Sequence, residues 1–408
     1  MIASDNVSSL YSEGAHRARP SAIRELCALV ARPEVRSLAG GWPDPCLFPH
    51  EKILQAMGDL LKHMAGALLQ YGSTEGLPEL RRELAVRAGK EGDRPCDPDD
   101  ILITAGSAQG LDLAVRAFID PGDIIFCGLP TYFGATGNIA ALGGKLLGVP
   151  VDEHGLNTDV LEWKMDGLKK CGIRMKGVYV IPTFQNPTGR TMTLERRRHL
   201  ISLARRYNLI LFEDDPYVEL RMEGEPLPSL WSLDGEGRVV HIRSLSKIFS
   251  PGMRLAWLAA EKSVTRKLTV IKQGIDVCTN MPGQYLALEF MKRKWLDEHI
   301  LSLVEHYRKK RNFLLERLDV HFPGEIRWKQ PEGGFFIWIE LPEEIDAQEL
   351  LTEASENNVV FVAGRSFFID ESGRHTLRLS YSQASESEIE EAVTVLGRLI
   401  HKRLHHSR

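Results

Sequence analysis

From about residue 100 onward, short apolar runs alternate with longer stretches in which apolar residues recur every three or four positions. The runs Ile101–Thr104, Asp123–Phe126, Lys145–Val149, Gly177–Ile181, Asn208–Phe212 and Arg238–Ile242 read as strands. Between most of them lie helical patterns, notably Ala108–Ile119, Gly134–Leu142 and Leu194–Tyr207. Strands that are apolar nearly throughout, separated by helices, predict a mostly parallel sheet covered on both faces. Sheets of this kind bind ligands where the carboxyl ends of their strands open into a crevice.

The flanking regions read differently. A polar start is followed by a helical pattern through Ile23, Leu26, Cys27, Leu29 and Val30, ending at Arg32-Pro33. Leu38-Ala39-Gly40-Gly41-Trp42-Pro43-Asp44-Pro45 predicts an irregular loop, and helical patterning resumes from Glu51 to Leu69. After a helical region from Trp295 to Leu318, the runs Gly334–Leu341, Val359–Val362 and Thr376–Tyr381 predict strands of a smaller α+β unit, with a boundary near residue 300.

A length of 408 residues implies two or three domains, and 43% hydrophobic with 26% charged residues describes a soluble chain with a large core. The 51 Lys and Arg against 55 Asp and Glu leave a net charge of −4 with no long block of one sign, so a nucleic-acid partner is not expected. Short basic groups, Arg196-Arg197-Arg198 and the tail from His401 to Arg408, read as solvated helix faces. No apolar run approaches the ~18 residues of a membrane span, and Met1–Leu10 lacks the features of an export signal, so a cytoplasmic protein is expected. Six scattered cysteines without a CxxC pair signal neither disulfides nor a metal site.

Three predicted strand ends carry polar groups. One run leads to Asn186-Pro187-Thr188-Gly189, another to Glu213-Asp214-Asp215-Pro216-Tyr217, and a third to Ser244-Leu245-Ser246-Lys247. Singly these are a turn, a strand stop and a surface lysine. On one edge of one parallel sheet they become an amide, a carboxylate, a phenol and an amine facing a common crevice, which suits pyridoxal phosphate. Its aldehyde needs an amine held partly desolvated, and Lys247 is the candidate. Its ring nitrogen needs a carboxylate, which Asp214 supplies, and its ring oxygen can bond Asn186 and Tyr217. Its phosphate needs donors: Ser107 with the amides that open the next helix, and Ser244, Ser246 and Arg254. Gly143-Gly144-Lys145 is not a nucleotide-binding loop, because Leu146 stands where a hydroxyl would hold magnesium.

This set of residues resembles the fold-type I, class I/II pyridoxal-phosphate aminotransferases. It is most similar to the branch with 2-aminoadipate and kynurenine aminotransferases and the aminotransferase half of MocR-type regulators. The likeness runs end to end, through Leu38-Ala39-Gly40-Gly41, Gln70-Tyr71-Gly72, Gly106-Ser107 and Gly333-Gly334-Phe335-Phe336. It implies an α/β fold: a three-layer α/β/α large domain with a mostly parallel seven-stranded sheet, residues 51–300, and a smaller C-terminal α+β domain, 301–408. The N-terminal segment, 1–50, would pack with the small domain and over the active site.

The resemblance also implies roles. Lys247 would carry the cofactor and shuttle the proton, Asp214 would pair the ring nitrogen, and Asn186 and Tyr217 would bind the ring hydroxyl. Tyr132 matches an aromatic that stacks on the ring; a core tyrosine beside a turn is the alternative. Tyr71 resembles a tyrosine that reaches the neighbouring subunit's cofactor phosphate, implying a homodimer. Arg378 matches the arginine that grips the substrate α-carboxylate, and an arginine inside an apolar strand is costly unless paired. Asn186 and Gly41 join it as substrate contacts. Arg24 could pair an acidic side chain, or simply lie on a solvated helix face. Two departures stand out: Ala108 offers the phosphate only its backbone amide, and Pro251 stiffens the loop between Lys247 and Arg254.

The implied reaction is ping-pong transfer of an amino group from an L-amino acid to a 2-oxo acid, 2-oxoglutarate being the expected acceptor. An amino-acid oxidase or β-eliminating lyase would use nearly the same residues. A ligand-sensing module of the MocR kind would need a winged helix, and only about forty residues precede Gly40-Gly41.

Overall fold

The computed structural model describes residues 5–18, 32, 34–92 and 94–406. Arg24 and the helix expected through Ile23 to Val30 lie outside the described residues. In chain order the strands are β1 (Arg36–Ser37), β2 (Ile101–Thr104), β3 (Ile124–Leu129), β4 (Lys145–Asp152), β5 (Gly155–Leu156), β6 (Met175–Val180) and β7 (Ile210–Asp214). They continue with β8 (Val239–Ser244), β9 (Ala256–Ala259), β10 (Arg327–Trp328), β11 (Phe336–Glu340), β12 (Val359–Val360), β13 (Val362–Ala363) and β14 (Thr376–Ser380).

Seven of these build the expected main sheet, in the order β2-β9-β8-β7-β6-β3-β4, and the two-residue β5 adds an eighth, antiparallel strand at the edge. The strands β8, β7, β6, β3 and β4 run parallel, while β9 is antiparallel to both neighbours. Strand β9 is absent from the sequence expectation because Ala-Trp-Leu-Ala suits a buried helix as well as a strand.

Alternate residues of the central strands feed two cores. Phe126, Val178, Leu211 and Val239 share one core with Leu200, Leu203 and Ala204 of the helix Leu194–Tyr207. Ile125, Tyr179, Phe212 and Val240 share the other with Leu111 and Val115 of the helix Ser107–Phe118. Each fully buried aliphatic or aromatic side chain contributes about 1.5–3 kcal/mol, so covering both faces explains why these strands are apolar throughout.

The helix Leu194–Tyr207 starts where Thr193 accepts a hydrogen bond from the Arg196 amide and stops at Asn208, whose φ of 55° is left-handed. Its Arg197 corrects the expectation of a solvated basic face. This side chain is fully buried and donates to the carbonyls of Met192, Pro182 and Pro228, each at 3.0 Å, and to Thr183 Oγ1 at 2.9 Å. Arg198 alone of the three is exposed.

A second, antiparallel sheet has the order β10-β11-β14-β13, and β1 pairs in parallel with β12. The Ser380 amide donates to the Leu38 carbonyl at 2.7 Å, so the stretch through Ser37 and Leu38 is fastened to the C-terminal strands. It thereby delivers the loop Gly40-Gly41-Trp42 to the edge of the main sheet. One helix, Trp295–His321, runs continuously through the region where the main sheet gives way to the second.

Candidate active site

The carboxyl ends of the parallel strands converge on a cavity of about 160 Å³. Asp214 lines it from the end of β7, Lys247, Tyr217 and Asn186 from the loops after β8, β7 and β6, and Ser107 and Tyr132 from the segments after β2 and β3. Arg378 of β14 and Gly41 close it from the other side.

Asp214 is the last residue of β7 and is 7% exposed. Its Oδ2 accepts a 2.7 Å hydrogen bond from the Tyr179 hydroxyl on the adjacent β6, and its Oδ1 has no partner. Burial pushes this carboxyl up to about 6, with Asp215 adding to the effect and Tyr179, His241 and Lys247 opposing it. A buried acceptor left unmatched costs about 1–3 kcal/mol, which a protonated ring nitrogen placed against Oδ1 would recover.

Lys247 reaches back so that its Nζ donates to the Gly41 carbonyl at 2.9 Å, and it lies 5.9 Å from the Tyr217 ring centroid. Burial, then the charges of Arg378 and Arg254, lower it to about 8, against the pull of Asp214. Relative to an ordinary lysine, the neutral and therefore nucleophilic fraction at pH 7.5 rises by about two orders of magnitude.

Arg378 is 2% exposed inside β14, yet among the described residues no carboxylate is ion-paired to it. Its Nη1 donates to Asn186 Oδ1 at 2.8 Å, its Nη2 to the Ala39 carbonyl at 2.6 Å, and Nε has no partner. The guanidinium is stacked 4.0 Å from the Phe336 ring centroid. Burial lowers it to about 10, a shift that an incoming carboxylate would reverse. Tyr217 packs edge-on against Phe335 and Phe336, and burial raises its hydroxyl well above the usual tyrosine range, so it stays protonated and can donate.

The phosphate candidates sit to one side. Ser107 begins its helix after Gly106, and Ala108, exposed on the first turn, presents its amide beside it. Arg254 is exposed and lies over Gly106 so closely that a Cβ there would be 2.3 Å from Nη2. Ser244 and Ser246 are buried, the Ser244 hydroxyl accepting from the Ser246 amide at 3.1 Å. Tyr71 is 78% exposed and stands apart from this cavity.

Sequence reasoning missed Tyr179, Trp42, Ile181, Pro216 and Phe336, of which Tyr179 holds Asp214 and the others line the cavity. A phenol inside an otherwise aliphatic run needs a buried partner, a signal that could have found Tyr179.

A partly neutral amine, a carboxylate with a free acceptor and an unpaired guanidinium around a small cavity define a pyridoxal-phosphate enzyme acting on a carboxylate-bearing amine. The chain belongs to the class I and II aminotransferases, whose family model matches residues 43–396. It is 41% identical to aromatic-amino-acid aminotransferase 1 of Thermococcus litoralis over 96% of this chain and 94% of that protein. It is 38% identical to the 2-aminoadipate transaminase of Thermus thermophilus over 96% and 97% of the two chains. The crystal structure of Pyrococcus horikoshii kynurenine aminotransferase, complexed with pyridoxamine phosphate, superposes with a TM-score of 0.93 at 38% identity, covering 98% of each chain. The protein is an aminotransferase with pyridoxal phosphate as its cofactor, moving amino groups from amino acids to 2-oxo acids.

Proposed function

We propose that this site transaminates an L-amino acid with an apolar or aromatic side chain, with 2-oxoglutarate as acceptor, and that Lys247 is the group that moves the proton. The observation that carries the reading is the trio of Lys247, Asp214 with its unmatched Oδ1, and Arg378 with its unmatched Nε around one cavity. Pyridoxal phosphate, when bound, supplies an electron-withdrawing ring that stabilises charge at the substrate's α-carbon and stores the amino group between half-reactions. Asp214 holds the ring nitrogen protonated, and Asn186 and Tyr217 donate to the ring oxygen. Ser107, the Ala108 amide, Ser244, Ser246 and Arg254 hold the phosphate.

Arg378 grips the α-carboxylate, with Asn186 and Gly41 beside it, which fixes the Cα–H bond relative to Lys247. With its amine free, Lys247 Nζ would accept the α-proton and deliver it to the cofactor carbon that carries the exchanging amino group, acting first as base and then as acid. The indole of Trp42 and the rings of Tyr132 and Phe336 surround the remaining space, and among the described residues lining the cavity Lys247 and Arg378 are the cations. That surface favours an apolar side chain, in keeping with the aromatic substrate class in the name of the Thermococcus litoralis relative.

The same reading makes the active unit a homodimer. Leu54, Leu61, Leu69 and Tyr71 are all exposed on or just after the helix His50–Leu68, an apolar surface that a second copy would cover while Tyr71 reached its partner's phosphate. The main sheet forms a large domain, the second sheet a small one, and the helix Trp295–His321 links them. The five cysteines among the described residues are not disulfide-bonded, which accords with a cytoplasmic setting.

The test is Lys247→Ala. Turnover with phenylalanine and 2-oxoglutarate falls at least a thousandfold, and the absorbance of lysine-linked cofactor vanishes while cofactor still binds. Retained turnover refutes the assignment.

A further inference from the structure

Three consecutive carboxylates stand at the end of β7, Glu213 and Asp214 as its last two residues and Asp215 just after it, and they are 0%, 7% and 2% exposed. Strand alternation turns Glu213 and Asp215 to the face opposite Asp214. His241 of β8 stands in register with Glu213 and shares that face, fully buried. Its Nε2 lies 3.3 Å from Asp215 Oδ2 and 4.0 Å from Glu213 Oε2. Glu213 is otherwise occupied by the Leu230 and Trp231 amides at 2.6 and 2.9 Å, whereas Asp215 Oδ1 has no partner. None of these groups touches the cavity, and the reaction described above does not use them.

We propose that His241 is a positioning residue for the reaction: as an imidazolium against Asp215 and Glu213 it offsets their charge, and so keeps Asp214 ionised beneath the cofactor's ring nitrogen. The proposal rests on Asp214 holding that nitrogen. The groups around Asp214 on its own face are Tyr179, Tyr132, Tyr217 and Lys247. On the far face Arg197 and Arg221 add positive charge at longer range, Arg197 with its donors committed to carbonyls and Thr183 and Arg221 ion-paired to Glu332. Among the described residues, His241 is therefore the cation in direct contact with Asp215. Burial alone would lower the imidazole pKa, but Glu213 and then Asp215 outweigh it and leave it raised, against Arg197.

The experiment measures cofactor dissociation from the holoenzyme between pH 5 and 9, by absorbance and equilibrium dialysis. In the wild type the acid midpoint of release follows Asp214. His241→Gln keeps a donor but removes the charge, and moves that midpoint up by about one pH unit, a roughly tenfold loss of affinity on the acid limb. Asp215→Asn removes the opposing charge and moves it down by a similar amount, and the double variant returns close to wild type. Packing alone would leave both midpoints in place or move them the same way, and either result overturns the proposal. Should H241Q fold poorly, the near-isosteric D215N carries the test by itself. Chelation by EDTA leaves the wild-type midpoint unchanged; a shift would put a metal ion where the imidazolium is proposed, and also overturns it. Asp214→Asn separates the two levels of the argument. Cofactor held by D214N as tightly as by wild type overturns the Asp214 assignment and this inference with it, whereas loss by D214N with unmoved H241Q and D215N overturns this inference alone.

Discussion

The Tyr179 hydroxyl donates a hydrogen bond to Asp214, and Tyr179→Phe removes that oxygen while leaving the fully buried ring in place. A hydrogen bond to a charged acceptor contributes about 1.5–3 kcal/mol, and 1.36 kcal/mol corresponds to one pH unit, so losing it raises the Asp214 carboxyl by about one to two units. The sign follows from which form is stabilised: Tyr179 donates to the carboxylate, so its removal favours the protonated acid. Starting from about 6, the group moves to about 7–8, and its ionised share at pH 7 falls from about nine-tenths to a half or less. The acid limb of kcat/KM, and of cofactor affinity, should shift upward by the same one to two units while activity at pH 9 is nearly unchanged. Circular dichroism would verify the fold. An acid limb within 0.3 units of wild type, roughly the precision of such a profile, in a folded Y179F protein refutes the argument that Tyr179 sets the charge of Asp214.

Two further outcomes follow from the same geometry. The folded Asp214 carboxyl is raised from 3.8 to about 6, so its ionised form costs the empty fold about 3 kcal/mol above pH 6 and nothing below pH 3.8. Cofactor-free Asp214→Asn should accordingly gain up to about 3 kcal/mol in urea unfolding at pH 8, a gain that shrinks as pH falls toward 4; equal gains at pH 8 and 4.5 would count against it. Gly106 has φ 89° and ψ 160°, a region nearly closed to other residues, and a Cβ there would collide with the Arg254 guanidinium. Gly106→Ala should cost about 1–3 kcal/mol of stability and weaken phosphate binding, and an unchanged cofactor dissociation constant would show that Arg254 does not serve the phosphate.

Much of this site was legible because a parallel sheet buried on both faces writes its strands as apolar runs, and the polar residues that interrupt them mark the ends. Asn186, Asp214 and Lys247 stood out on that ground alone, and the helix Leu194–Tyr207 was readable to the residue because Thr193 and Asn208 cap it. What the pattern hid depends on partners distant in sequence. The strand β9 carries no period that separates it from a helix. Arg197 looks solvated until the carbonyls of Pro182, Met192 and Pro228 are brought around it by three different segments. The apolar run Asn208–Phe212 stops before its acids, yet β7 extends through Asp214, because its neighbour β8 supplies His241 and the Leu230 and Trp231 amides donate to Glu213.

The charges of the site share one physical feature. Burial pushes Asp214 up to about 6, Lys247 down to about 8 and Arg378 down to about 10, each toward its neutral form. Counter-ions from the protein would have removed these shifts, and the surface shows many such pairs. At Arg378 the chain supplies an amide oxygen from Asn186 and a backbone carbonyl from Ala39. These orient the guanidinium without neutralising it, and they leave Nε unmatched. An aspartate in place of Asn186 would hold the arginine more firmly, but every substrate carboxylate would then have to displace it and lose most of the Coulombic gain. The neutral partners keep that gain for the substrate, so the instability carried by the empty site is the same quantity that binding relieves.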